Sequence, residues 1–244
     1  MFVIAITRRQ HAGVNLDVQL SKSPKAIFFD FDGVLVESVL LKEKAFRDLF
    51  AVYGDDVVRQ VIELHRELGA ISRVIKIERI HRDLLGHPLS DDELQQWAHR
   101  YTDTVEKAVV SCPVVTGAET VLQAQSMQAD LFVISGTPED EMRRIVTARG
   151  WNHYFTSVHG SPRLKADIVT DLLQRHKLAA ADCLFVGDTF TDHDAAIATG
   201  VPFVGRLNGV RANPFPPNTI LIDDLNGLAA VLAKSEEGAG HDRE

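Results

Sequence analysis

Two carboxylates, Asp30 and Asp32, stand two residues apart at the end of a short apolar run, Ala26 to Phe29. Side chains alternate along an extended chain, so residues i and i+2 point the same way. Asp30 and Asp32 then converge where the chain leaves the strand, and Gly33 permits a sharp turn beside whatever they bind. Two convergent anions repel each other unless something positive joins them. Mg²⁺, a hard cation that takes carboxylate oxygens, meets that need. One strand-end Asp alone would read as a helix cap. The pair, with a second acidic strand end downstream, reads as a site.

That second strand end is Cys183 to Gly187 running into Asp188, with Asp192 one helical turn further on. In an open parallel sheet, ligands bind at the carboxyl ends of strands. Were the two strands neighbours, Asp30, Asp32 and Asp188 would form the ligand set for one divalent cation. A third apolar run, Leu131 to Ile134, ends in Ser135 and Gly136. Thr137 reads there as a helix N-cap, Pro138 as the first helical residue and Asp140 as the reciprocal capping residue. A hydroxyl and free amides at a helix start suit an anion, phosphate above all. Lys165 opens the amphipathic run Ile168, Val169, Leu172 and Leu173. A lysine is unfavourable at the positive end of a helix dipole, so its position hints at an anionic partner.

These blocks, in this order, resemble the haloacid dehalogenase-like hydrolase superfamily from about Lys25 to Leu232. The resemblance implies Asp30 as nucleophile, Asp32 as acid–base and, through its main-chain carbonyl, as metal ligand, and Asp188 as a further ligand of Mg²⁺. It implies Ser135 and the Gly136 amide as phosphate contacts, Lys165 as the charge-neutralising cation, and Asp192 as the group that orients Lys165 or a metal-bound water. Many relatives carry Lys-Pro-x-Pro before the lysine helix; this chain has Ser161-Pro162-Arg163-Leu164-Lys165. Counting back from Asp167-Ile168 could place Arg163 in that position, although Lys165 is preferred.

From Ala118 onward, apolar strands alternate with amphipathic helices, the pattern of a parallel α/β sheet. Strands are expected near 131–135, 154–158, 183–187, 202–204 and 219–222, with helices near 117–128, 139–149, 165–176 and 192–199. Residues 38–111 read as helical throughout, near 38–53, 55–68, 71–85 and 91–109, the last opened by a capping box at Ser90 and Glu93. The expected fold is a Rossmann-like parallel sheet, residues 25–37 and 112–233, with an inserted all-helical cap, residues 38–111. Such a cap matches the branch that holds phosphoglycolate-phosphatase-like and β-phosphoglucomutase-like enzymes. Residues 1–24 form an N-terminal extension of open character: an added strand, an arm or a translation-start artefact. Residues 234–244 read as a disordered tail.

Within the cap, Gly69-Ala70-Ile71-Ser72-Arg73 resembles the Gly-x-Ser-Arg stretch with which β-phosphoglucomutase-like caps hold the remote phosphate. Arg73 is then expected to bind the far end of the substrate. Lys42 stands where those mutases carry histidine and is a second candidate for a substrate anion.

Composition fits an ordinary globular enzyme: 244 residues, 45% apolar and 25% charged. A net charge of −8 disfavours nucleic acid as a partner. Cys112 and Cys183 make no metal spacing and no disulfide framework. Met1 to Ile6 is too short for a signal-peptide core, and no apolar run could span a bilayer, so a cytoplasmic protein is expected. The sequence therefore predicts a Mg²⁺-dependent phosphatase acting on a small phosphorylated metabolite through an aspartyl phosphate. A phosphosugar mutase or a non-catalytic phosphometabolite-binding protein are the alternatives. Haloacid dehalogenation fits poorly, because it needs no D-x-D pair with Mg²⁺.

Overall fold

A computed structural model describes residues 23–69, 71–210 and 212–239. The extension expected at 1–24 lies outside the described residues up to residue 22, as do Ala70 and the end of the expected tail, 240–244. The frame is a parallel sheet of β1 (Ala26–Phe29), β2 (Asp130–Pro138), β3 (Ser157–Ser161), β4 (Cys183–Gly187), β5 (Phe203–Arg206) and β6 (Ile220–Ile222). The strand order is β3-β2-β1-β4-β5-β6. β1 is central: Phe29 is level with Val133 of β2 on one side and Val186 of β4 on the other. All four of its residues are buried, as expected where helices cover both faces of a parallel sheet.

Between β1 and the helix that precedes β2 stand α1 (Val39–Leu49), α2 (Asp55–Glu67), α3 (Arg73–Arg79) and α4 (Asp91–Ser111). They are the helical cap. α5 (Ala118–Gln125), α6 (Glu139–Ala148), α7 (Lys165–Arg175), α8 (Phe190–Thr199) and α9 (Leu225–Ala239) belong to the sheet domain. Alternation along β1 divides the core. Phe28 faces Phe132, Phe185 and the buried sides of α7 and α8. Ile27 and Phe29 face the opposite layer, whose apolar cluster continues through Leu35 into Phe46, Ile77, Tyr101 and Val109 of the cap. The cap therefore shares its base with one layer of the sheet domain.

Three expectations are corrected. β3 begins at Ser157, three residues later than expected, because Asn152–Tyr154 close a 3₁₀ turn first. The apolar residues near Tyr154 and Phe155 pack against the core without pairing in the sheet. β2 continues to Pro138 with a register shift after Ile134, so Thr137 is a strand residue and caps no helix. α9 carries helical backbone to Ala239, into the segment expected to be disordered from residue 234.

Candidate active site

The register of the sheet places the chemistry. One residue past the paired Phe29 and Val186 stand Asp30, whose amide donates to the Val186 carbonyl, and Gly187, which leads into Asp188. Asp30, Asp188 and Asp192 each offer an oxygen within 4.8 Å of the others, and all three are buried. Lys165, the first residue of α7, reaches the cluster. Its Nζ donates to Asp192 Oδ1 at 2.5 Å and lies 3.0 Å from Asp30 Oδ1. Arg163 points elsewhere and pairs with Asp171 at the surface. Burial lowers the pKa of Lys165, but Asp192 and Asp30 outweigh it and raise the pKa above the usual lysine value. Its position at a helix N-terminus is offset by two carboxylates. Asp192 spends its other oxygen on the Thr189 amide and hydroxyl, closing the capping box of α8, so it orients Lys165 from a fixed support.

These donors fit a hard divalent cation. Asp30 Oδ1 is buried and accepts no hydrogen bond of good geometry, the lysine being close in distance but poorly aligned. Desolvation pushes the Asp30 pKa well up, against Lys165, and the charges of Asp192, Asp188 and Asp32 push it further. A cation would relieve both defects. Asp30 and Asp188 would be the carboxylates for it, since both oxygens of Asp192 already accept hydrogen bonds. Asn208 steadies Asp188 by donating to its Oδ2 at 2.7 Å. Gly33, at φ +79°, belongs to this geometry for a steric reason: a Cβ there would stand 2.3 Å from Asp188 Oδ2.

The Asp32 carboxylate is held apart from the cluster. Ser38 donates to Oδ1 at 2.6 Å, while Lys42 at 2.5 Å and Thr137 at 3.2 Å donate to Oδ2. Burial raises its pKa, but Lys42 and these hydrogen bonds win, and the pKa is lowered. The two carboxylates are thus pushed in opposite directions, Asp30 up and Asp32 down. Each has a lysine within 3.0 Å, but Asp30 is raised by its burial and then by three neighbouring carboxylates, whereas Asp32 is lowered by Lys42 and the hydroxyls of Ser38 and Thr137. Lys42, the candidate contact for a substrate anion, lines the cavity between cap and sheet domain and bridges Asp32 and the Thr137 hydroxyl. Ser135 is buried and accepts from the Thr137 amide at 3.1 Å, which fixes the end of β2 that carries the Gly136 amide.

Above the acidic floor lies a cavity of about 70 Å³ between sheet domain and cap. Asp30, Asp32, Gly136, Thr137 and Asp188 line it from below, and Lys42, His65, Gly69, Arg73, Lys76 and Tyr101 from the cap. Arg73 is therefore at the cavity, as expected, but its Nη2 donates to Glu141 and its Nη1 to Thr102, each at 2.6 Å. Sequence reasoning missed Ser38, Glu141, Asn208 and Arg206, which ties the Gly33 carbonyl to Glu37. Glu141 left a signal: it is a charge on the face of α6 that buries Met142, Ile145 and Val146. Such a residue demands a partner.

Comparison with known proteins gives the same grouping of residues a family. The model of the haloacid dehalogenase-like hydrolases matches residues 24–200. The chain belongs to that family. It is an enzyme of the hydrolase type, with the cap inserted after the first strand. A phosphoglycolate phosphatase of Vibrio cholerae is 28% identical over 236 residues, covering 88% of this chain and 99% of its own. One from Pseudomonas savastanoi is 27% identical over 220 residues, covering 85% of this chain and 79% of its own. Among solved structures, β-phosphoglucomutase of Clostridium difficile superposes with a TM-score of 0.68 at 19% identity. It covers 88% of this chain and 98% of its own, a likeness of fold. No helix among the described residues is long and apolar enough to cross a membrane.

Proposed function

We propose that this hydrolase is a Mg²⁺-dependent phosphatase that removes phosphate from a small phosphorylated metabolite by way of an aspartyl phosphate on Asp30. The observation that carries the reading is the cluster of Asp30, Asp188 and Lys165 at the end of the central strand, beneath a small cavity. A phosphate monoester and a carboxylate nucleophile are both anionic, so attack needs positive charge between them. Asp30, Asp188 and the Asp32 carbonyl would hold Mg²⁺, which would supply part of that charge, and Lys165 supplies the rest. Asp30 attacks phosphorus in line, forming its P–O bond as the ester P–O bond breaks. Ser135 and the Gly136 amide hold the phosphate oxygens. Asp32 gives its proton to the leaving alkoxide, then takes one from the water that hydrolyses the aspartyl phosphate. An anionic substrate that draws Lys42 away lets Asp32 acquire the proton this role requires.

The relatives named phosphoglycolate phosphatase favour a short phosphorylated acid as substrate. A mutase needs a firm site for a second phosphate, and its expected holder, Arg73, is already occupied by Glu141. Asp30→Asn is nearly isosteric but cannot form the acyl phosphate. It should abolish Mg²⁺-dependent phosphate release from an aryl phosphate while circular dichroism and melting stay close to the parent. Activity within tenfold of the parent would remove Asp30 from the nucleophile's role.

A further inference from the structure

Arg73 lines the cavity above the acidic cluster, where an uncancelled guanidinium would attract the remote end of an anionic substrate. The group is nevertheless paired with Glu141 at 2.6 Å, the two side chains being 6% and 3% exposed. Arg73 opens α3 of the cap and Glu141 lies in the first turn of α6 of the sheet domain, so the pair crosses from one to the other. Seen from a third group in the cavity, opposite charges this close act as a dipole, whose field falls off faster than that of a charge. The helix dipole favours a carboxylate in the first turn of α6 but gives no reason to bury one. The neighbours of Glu141 on that face of α6 are apolar, and its Oε1 is buried without a hydrogen bond, which costs stability. A costly charge kept beside a cavity-lining arginine is accounted for if its task is to set the charge that this arginine presents.

We propose that Glu141 is a specificity-determining residue acting through Arg73: it cancels the guanidinium's charge at the remote wall of the cavity, so the site rejects a second phosphate there and keeps small monophosphates. This rests on the phosphatase reading and adds to it the charge allowed at the substrate's far end. Glu141 is a positioning residue, since it works on substrate through Arg73.

The test is kcat/KM with Mg²⁺ for three esters that differ at the remote end: 2-hydroxyethyl phosphate, phosphoglycolate and ethane-1,2-diyl bisphosphate. In Glu141→Gln the ratio of bisphosphate to hydroxyethyl phosphate should rise about tenfold or more over the parent's ratio, with phosphoglycolate between. The gain should fall mainly on the KM of the bisphosphate. Glu141→Asp keeps the charge and should keep the parent's ratio; adding Arg73→Met to Glu141→Gln should remove the gain. Taking the ratio within each variant cancels any loss of folded protein. Glu141→Met fills the same space with apolar atoms and replaces the Gln variant if that one does not fold. An unmoved ratio, or a gain that survives without Arg73, overturns the proposal and leaves the phosphatase reading standing. A parent enzyme that hydrolyses none of the three esters and no aryl phosphate overturns both.

Discussion

Asp30 and Asp32 share a spacing and a strand end but occupy opposite electrostatic settings. The spacing was enough to read that two carboxylates converge. It could not show which partner each one meets, because the Thr137 hydroxyl reaches Asp32 from 105 positions away. Lys42 was legible as a cation near the site, yet as a substrate contact and not as the counter-ion of Asp32. Lys165 could be told from Arg163 only in three dimensions, where one ammonium reaches both Asp30 and Asp192. The Lys42–Asp32 pair has a consequence for pH. A leaving alkoxide takes its proton from protonated Asp32, so turnover of a poor leaving group falls as pH rises through that residue's pKa. Lys42 lowers the pKa. Lys42→Met should therefore shift the alkaline limb of kcat/KM for an alkyl phosphate to higher pH. The limb for nitrophenyl phosphate, which hardly needs an acid, should stay in place. An alkyl-phosphate limb that does not move would uncouple Lys42 from the protonation of Asp32.

Element types were read well where periodicity was long and poorly where a strand met a loop. The capping box at Ser90 and Glu93 is present because both of its bonds are local. Thr137 was misread for the complementary reason: a hydroxyl before Pro138 looks like a cap, but a long-range demand from Asp32 and Lys42 claims it. The loop from Gly69 into α3 shows how cap and sheet domain meet. Gly69 has φ +59°, and a Cβ there would stand 2.9 Å from Phe190 Cε1 and 3.3 Å from Thr191 Cγ2. The loop thus rests on the same turn that carries Asp188 and Asp192. Gly69→Ala should strain the backbone by about 1–2 kcal/mol and lower Tm by about 2–8 °C. It should also hold the cap off Phe190, lowering kcat/KM by about tenfold. Adding Phe190→Ala opens the space and should recover part of the activity. If the double variant is no more active than the single, the contact with Phe190 is not what limits closure.

At the scale of the molecule, the alternation of strands and helices after Ala118 announced a parallel sheet, but the order of its strands was not in the sequence. Nothing along the chain says that β4 rather than β3 lies against β1. The order follows from which faces can be buried together, and it is this order that brings Asp188 to Asp30 across more than 150 residues. The cost of that meeting is a set of like charges in a buried place. A fold that gathers carboxylates this way is held back by their repulsion and gains stability when a cation joins them. A ligand that binds only the folded state adds about 2.7 kcal/mol when present at one hundred times its Kd. For a chain of this size that is a rise in Tm of about 5–10 °C. Mg²⁺ should therefore raise Tm by several degrees over protein in EDTA at matched ionic strength. The rise should be lost in Asp30→Asn/Asp188→Asn, whose own Tm in EDTA should equal or exceed the parent's because the repulsion is gone. A parent Tm indifferent to Mg²⁺ would count against a cation site at this strand end. A double variant that still responds would move the site elsewhere in the molecule.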